Sequence, residues 1–126
     1  MTQEEKDLLL KDLSARLPYK VKVQDTYYKS LEPNPIWLID LHAQKVRLFA
    51  DEGYQSIEYI KPYLFPLSSM TEEQKEEHQD LVKNSYSFDA NGNVFTLQDF
   101  YCKNHLDYRG LIPMGIAIDT TGLNIY

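Results

Sequence analysis

The segment Asp99–Asp119, DFYCKNHLDYRGLIPMGIAID, is the part of the chain around which the other elements are expected to pack. It contains the single cysteine of the chain, one of its three histidines and an Asp-Tyr-Arg-Gly step before an apolar run. The pattern predicts a helix that is capped by Thr96 and ends near His105, a tight corner at Asp107–Gly110 and a buried tail. Gly110 favours a corner because glycine adopts backbone geometries that other residues resist.

The sequence leaves two roles open for this corner. Arg109 carries a planar guanidinium that can hold a carboxylate through two hydrogen bonds. In the structural interpretation, Arg109 pairs with Asp107 or Asp99 and fixes the corner. In the functional interpretation, Tyr108 and Arg109 bind a ligand or a protein partner together with Asp107, Asp99 and His105, because Arg and Tyr are favoured at interfaces.

Cys102 and His105 are three residues apart and could share one side of a helix. A thiol beside an imidazole can act as an activated nucleophile, so the alternative hypothesis is a small enzyme with this pair. A half-buried cysteine and a histidine at the carbonyl end of a helix explain the same residues without catalysis. No other histidine has a partner at zinc-ligand spacing, and we therefore predict no metal site and no cofactor.

Two further helices are predicted outside this segment. Thr2–Leu17 starts with a capping box of Thr2 and Glu5 and carries leucines at helical spacing. Thr71–Asn84 starts with a second capping box and is rich in acidic residues. Its acidic face consists of Glu72, Glu73, Glu76, Glu77 and Asp80. This face is either solvated, a docking surface for a basic partner, or a mimic of a nucleic-acid backbone that inhibits a DNA-binding protein.

Alternating and apolar runs predict about four strands in sequence order, which suggests an antiparallel meander. They are Tyr19–Gln24, Ile36–Leu41, Lys45–Ala50 and Ser56–Lys61. Ile36–Leu41 is almost entirely apolar and is typical of a strand buried on both faces or of a central strand. The proline-bounded run Pro62–Met70 is predicted to cross the molecule as neither a helix nor a central strand. Asp89–Asn93 is predicted to be a turn.

Length and composition limit the class of protein. A chain of 126 residues predicts a single domain over residues 1–126, with an α+β fold of about four antiparallel strands and about three helices. The net charge of −6 argues against direct nucleic-acid binding. The sequence shows no secretory signal and no membrane-spanning run, so we expect a soluble, cytoplasmic protein without membrane contact.

Three segments together resemble an uncharacterised family of small proteins that is common in gut bacterial genomes, their mobile elements and their phages. They are DLSARLPYKVKV (Asp12–Val23), KPYLFPLSSMTEEQKEE (Lys61–Glu77) and the Asp99–Asp119 segment. The resemblance implies an accessory gene product of a bacterium or its phage, not a metabolic enzyme. We therefore expect a non-catalytic interaction protein that binds a protein partner through the Asp107–Gly110 corner or through the acidic helix 71–84.

Overall fold

In the computed structural model, which describes residues 1–27, 32–49 and 53–126, three α-helices start at the predicted capping residues. They are α1 (Gln3–Arg16), α2 (Glu72–Asn84) and α3 (Leu97–Lys103). Each carries a complete capping box, in which the first side chain accepts from a backbone N–H and the third helical residue reaches back. None of these helices has the length and apolar character that crossing a membrane requires.

The cap of α2 gives a testable stability effect. Thr71 Oγ1 accepts a hydrogen bond from the backbone N–H of Gln74 at 3.1 Å, and Gln74 Oε1 accepts from the Thr71 N–H at 3.0 Å. Thr71→Ala should lower the free energy of unfolding by about 1 kcal/mol, because it leaves the backbone N–H of Gln74 without its side-chain acceptor. Urea unfolding measures the loss. Thr71→Ser keeps the hydroxyl and is the control, so equal losses in the two variants would contradict the cap.

The strands form one mixed sheet and a separate hairpin. In chain order they are β1 (Lys22–Asp25), β2 (Asn34–Asp40), β3 (Lys45–Leu48), β4 (Tyr54–Ser56), β5 (Ile60–Pro66), β6 (Tyr86–Phe88), β7 (Val94–Thr96), β8 (Leu106–Asp107) and β9 (Ile118–Asp119). Within the described residues, the sheet has seven strands in the order β4-β3-β2-β1-β5-β8, and β9 also pairs with β5. The α+β class is thus confirmed, and the antiparallel β2-β3-β4 part agrees with the predicted meander. The prediction of a sheet with about four strands, all antiparallel, was wrong, because the sheet has more strands and β8 and β9 pair in parallel with β5.

The largest correction concerns β5. Pro62–Met70 was predicted to avoid a central strand, yet Pro62 is paired with Val23 and Pro66 with Asp107. Proline is tolerated in a strand where the ladder does not need its missing N–H. The ladder here uses other groups, such as the Phe65 N–H, which donates to the His105 carbonyl oxygen at 2.8 Å. The central position of β5 brings the Asp99–Asp119 segment onto the sheet.

Three other strand predictions also need correction. The predicted strand Tyr19–Gln24 starts only at Lys22, because Leu17–Tyr19 forms a 3-10 turn. The predicted strand Ser56–Lys61 is interrupted by a 3-10 turn at Ile57–Tyr59, so it belongs to both β4 and β5. Ile36–Leu41 is not buried on both faces, because Trp37 and Leu38 are 52% and 42% exposed, but β2 does lie inside the sheet, between β1 and β3. The predicted strand Lys45–Ala50 forms as β3 up to Leu48, and Ala50 lies outside the described residues.

The predicted turn Asp89–Asn93 joins two strands that were not predicted, β6 and β7. The Asp89 carboxylate accepts hydrogen bonds from the backbone N–H groups of Asn91 and Asn93, each at 2.9 Å. Gly92 has φ +80°, which favours glycine at this position. The hairpin turns Phe95 towards a small core and leaves Tyr86, Phe88 and Val94 exposed.

Two groups of buried side chains hold these elements together. In the larger group, leucines of α1 pack against the inner face of the sheet and against Leu111, Ile116 and Ala117 of the carboxyl-terminal segment. In the smaller group, Leu81 of α2, Phe100 of α3 and Leu106 of β8 pack together. The Asp99–Asp119 segment contributes to both groups, which agrees with the central position that the sequence predicts for it.

Candidate functional site

A buried ion pair on α1 lies at the centre of the candidate site. Asp12 and Arg16 are both fully buried, and Arg16 Nε donates to Asp12 Oδ2 at 2.7 Å. Arg16 Nη2 also donates to the carbonyl oxygen of Leu106 at 2.6 Å. A buried charge is tolerated only when it is paired and hydrogen-bonded. The pair therefore fastens α1 to the residues just before the predicted corner.

Arg109 completes this cluster from the corner itself. Its Nε donates to Asp12 Oδ1 at 3.1 Å, so one carboxylate bridges two guanidinium groups. The internal partner of Arg109 is thus Asp12, and not Asp107 or Asp99 as the structural interpretation expected. We call Asp12, Arg16 and Arg109 the arginine clamp.

Tyr108 lies against both arginines of the clamp. Its hydroxyl accepts a hydrogen bond from Arg109 Nη2 at 2.9 Å, and its ring centroid is 5.3 Å from the Arg16 guanidinium carbon and 4.8 Å from that of Arg109. Its ring also stacks on Tyr101, with centroids 4.8 Å apart and an interplanar angle of 12°. Burial raises the pKa of Tyr108. The side chain is therefore held by α3 and by the clamp at the same time.

The two remaining acidic residues of the predicted site stabilise local structure. Asp107 is 6% exposed, and its carboxylate accepts from the backbone N–H groups of Leu111 and Ile112, each at 2.8 Å. Asp99 caps α3 and accepts a hydrogen bond from the Tyr19 hydroxyl at 3.0 Å. Burial opposes ionisation of Asp99, but the hydrogen bonds from Thr96 and Tyr19 outweigh it and lower its pKa.

Cys102 has the environment of a packed core residue. It is 1% exposed, and burial raises the pKa of its thiol despite the nearby Arg16. The thiolate is the reactive form of cysteine, and this site disfavours it. Cys102 and His105 also do not share a helix face, because α3 ends at Lys103 and His105 has φ +55°. The geometry thus gives no support to a nucleophile–base pair.

His105 is held in a neutral state beneath Tyr126. The two rings are stacked, with centroids 3.6 Å apart and an interplanar angle of 10°. Burial, together with the positive charges of Arg16 and Lys22, lowers the pKa of His105 to about 4. Its Nδ1 is buried without a hydrogen-bond partner in the described protein, so a proton there would have no acceptor.

The acidic face of α2 is exposed along its whole length. All five of its carboxylate side chains are exposed, whereas Leu81 on the other side is buried. At 100° per residue, these positions cover about 140° of the helix circumference. Lys75 lies outside this arc and pairs with Glu72 at 3.2 Å, whereas Lys83 falls within the arc in the last turn and limits the acidic face at the carboxyl end of the helix. The predicted face therefore exists as one continuous surface.

A cleft of about 250 Å³ opens between the start of α2 and the end of α3. Its lining consists of Phe65, Ser69, Thr71, Gln74, Asn104, Leu106, Thr121 and Gly122. Cys102, His105 and Arg109 are not in this lining. In the described ranges, no group of three or more His, Cys, Asp or Glu side chains is arranged to hold a metal ion. Comparison of the chain with protein-family models, with curated proteins and with solved structures gives no match.

The prediction from the sequence missed Asp12 and Arg16, the two residues of the arginine clamp that lie on α1. Asp12 and Arg16 lie at helical spacing from Leu9 and Leu13, which are fully buried. Residues at i, i+3, i+4 and i+7 share one helix face, so this spacing already places an acid and a base on the apolar side of α1. That signal could have identified Asp12 as a buried partner for a distant arginine.

Proposed function

We propose that this chain is a non-catalytic protein-binding module, an accessory product of a bacterium or its phage that acts in the cytoplasm. In this proposal, the acidic face of α2 is the surface that receives a basic protein partner. The resemblance of three sequence segments supports the bacterial or phage origin. The single observation that supports the binding role is the continuous exposed row of five carboxylates on α2.

One side of α2 packs against the rest of the protein, and the other side is acidic and exposed, as a docking surface requires. Gln74, His78 and Leu81 lie on the inner side, where Gln74 Nε2 donates to Asn104 Oδ1 at 3.2 Å and His78 Nε2 lies 2.9 Å from the Tyr101 hydroxyl. The outer side has five acidic groups within about 12 Å along the axis. A surface of one sign steers a partner of opposite charge and increases its association rate.

In this proposal, the Asp107–Gly110 corner stabilises the fold and does not bind the partner. Asp107, Tyr108 and Arg109 all have internal partners, and those contacts account for the three residue types without a ligand. An enzyme based on Cys102 is disfavoured, because its thiol is buried and has a raised pKa. We therefore place the binding role on α2.

The experiment compares two variants with equal charge changes. One neutralises part of the acidic face with Glu73→Gln, Glu76→Gln and Glu77→Gln. The matched control neutralises three exposed acids elsewhere, with Glu4→Gln, Asp7→Asn and Glu58→Gln. Each protein is cross-linked in a lysate of the source organism, and captured proteins are quantified by mass spectrometry. We expect a basic protein whose capture falls about tenfold or more in the first variant only.

Competition with short duplex DNA then separates the two classes of partner. A basic partner that remains bound in excess DNA supports a protein-docking face. A partner that DNA displaces supports the nucleic-acid mimic, in which the carboxylates occupy the positions of phosphates. Equal capture by both variants would show that the acidic face of α2 does not bind the partner and would overturn the proposal.

A further inference from the structure

The outer face of β2, β3 and β4 carries an exposed apolar patch that is separate from α2. It consists of Trp37, Leu38, Phe49 and Tyr54, which are 52%, 42%, 65% and 52% exposed. We call these four residues the aromatic patch. Trp37 is the only tryptophan of the chain, and its ring centroid is 5.0 Å from that of Phe49.

Strand register explains why these side chains meet on one face. Leu38 is paired with Arg47, and Arg47 is paired with Tyr54, so the three side chains form a row across the strands. The ladder is irregular between Ile36 and Leu38, and this irregularity leaves Trp37 exposed beside the row. Bulges often re-aim a side chain in this way.

The opposite face of these strands packs in the protein core. Ile36, Val46 and Leu48 point inwards and pack in the large core with the leucines of α1. In the part of the chain that the structure describes, no helix covers the outer face. Contiguous apolar patches on a monomer are usually small, and larger ones mark interaction sites. Trp and Tyr are also among the residue types that contribute most to binding.

We propose that a second copy of this chain covers the aromatic patch, so that the protein forms a two-fold symmetric dimer through the outer faces of β2, β3 and β4. The charges at the border of the patch support this occupant. Asp40 and Lys45 are exposed and form a cross-strand pair, so both signs occur side by side. Across a two-fold axis, every contact between one residue and a second residue of the other copy occurs twice, once in each direction. Lys45 of each copy can therefore face Asp40 of the other.

The same border argues against a highly charged occupant. A nucleic acid or a strongly basic protein requires a surface of one sign, whereas this face combines apolar side chains with Arg47 in the row and with Asp40 and Lys45 at the border. The excess acidic charge of the chain is concentrated on α2 instead. Two sheet faces pack about 10 Å apart with interdigitated side chains. A stable interface buries ~800 Å² per partner, so we expect the contact to extend beyond the four residues of the patch over the outer faces of the three strands.

Trp37 makes the test direct, because it is the sole tryptophan and lies in the proposed interface. Sedimentation equilibrium is measured from low micromolar to near-millimolar protein, and tryptophan emission and acrylamide quenching are followed over the same range. We expect a monomer–dimer equilibrium in which emission shifts to shorter wavelength and quenching falls as the dimer forms. Tyr54→Lys should raise the dissociation constant about tenfold or more, because it removes an exposed aromatic ring from the patch and puts a charge in its place.

The hairpin provides a matched control. Phe88 is 64% exposed but lies outside the aromatic patch, so Phe88→Ser should leave the dissociation constant unchanged. Phe49→Lys replaces Tyr54→Lys if the latter does not fold, as judged by urea unfolding. A monomer at every concentration would overturn the proposal. So would a dimer in which Trp37 stays as quenchable as in the monomer, or one that Phe88→Ser weakens as much as Tyr54→Lys.

Discussion

Replacing Asp12 with asparagine is expected to lower the free energy of unfolding by about 3–5 kcal/mol. The carboxylate is fully buried and accepts hydrogen bonds from Arg16 and Arg109 at 2.7 and 3.1 Å. Asparagine has nearly the same shape but no charge, so both guanidinium groups would lose their counter-ion inside the protein. Urea unfolding at neutral pH measures the loss.

Two comparisons isolate the cause of this effect. Asp7→Asn changes an exposed aspartate on the same helix and should cost less than about 0.5 kcal/mol. Replacing Asp12, Arg16 and Arg109 together with apolar residues of similar size should cost less than Asp12→Asn alone, because no unpaired charge then remains buried. An Asp12→Asn variant as stable as the wild type would show that the clamp does not stabilise the fold.

Acidification is expected to destabilise the protein through His105. Its pKa in the folded state is about 4, below the 6.5 of an unperturbed histidine. As pH falls through 6.5, the unfolded chain takes up a proton that the folded protein accepts only near pH 4. The contribution of His105 to stability is therefore complete above pH 6.5 and is lost as pH falls towards 4. Between pH 7 and pH 5 the loss should be about 2 kcal/mol.

The measurement is urea unfolding of the wild type and of His105→Asn at several pH values. Asparagine tolerates the left-handed backbone that His105 adopts, so the variant should fold. The carboxylates are present in both proteins, so the difference between the pH dependences of their free energies of unfolding gives the contribution of His105. His42→Gln is the control for replacing a histidine at another position. An NMR titration in which His105 changes charge near pH 6.5 would contradict the buried, neutral state.

Local signals in the sequence predicted the helices and the main turn well. Thr2, Thr71 and Thr96 cap the three helices because a hydroxyl followed three residues later by an acid or amide satisfies backbone donors within a short segment. The turn at Asp89–Asn93 also depends only on neighbouring residues. Such features need no knowledge of the tertiary structure.

The sheet and the site depend on contacts between residues that are distant in the chain, and local sequence patterns contain few signs of such contacts. Arg109 pairs with Asp12 across 97 positions of the chain, and nothing near either residue specifies that partner. The prolines of β5 argued against a central strand, but parallel pairing with β8 and β9 outweighed that local preference. The apolar residues of β2 predicted burial, yet an irregular ladder left Trp37 on the surface.

The Asp107–Gly110 corner is held internally by the contact between Arg109 and Asp12. A double-mutant cycle with Asp12→Asn, Arg109→Met and the double variant, followed by urea unfolding, measures the energy of this contact. We predict a coupling energy of about 1–3 kcal/mol between the two side chains. A coupling near zero, with wild-type stability in Arg109→Met, would contradict the account and return Arg109 to the role of a binding residue.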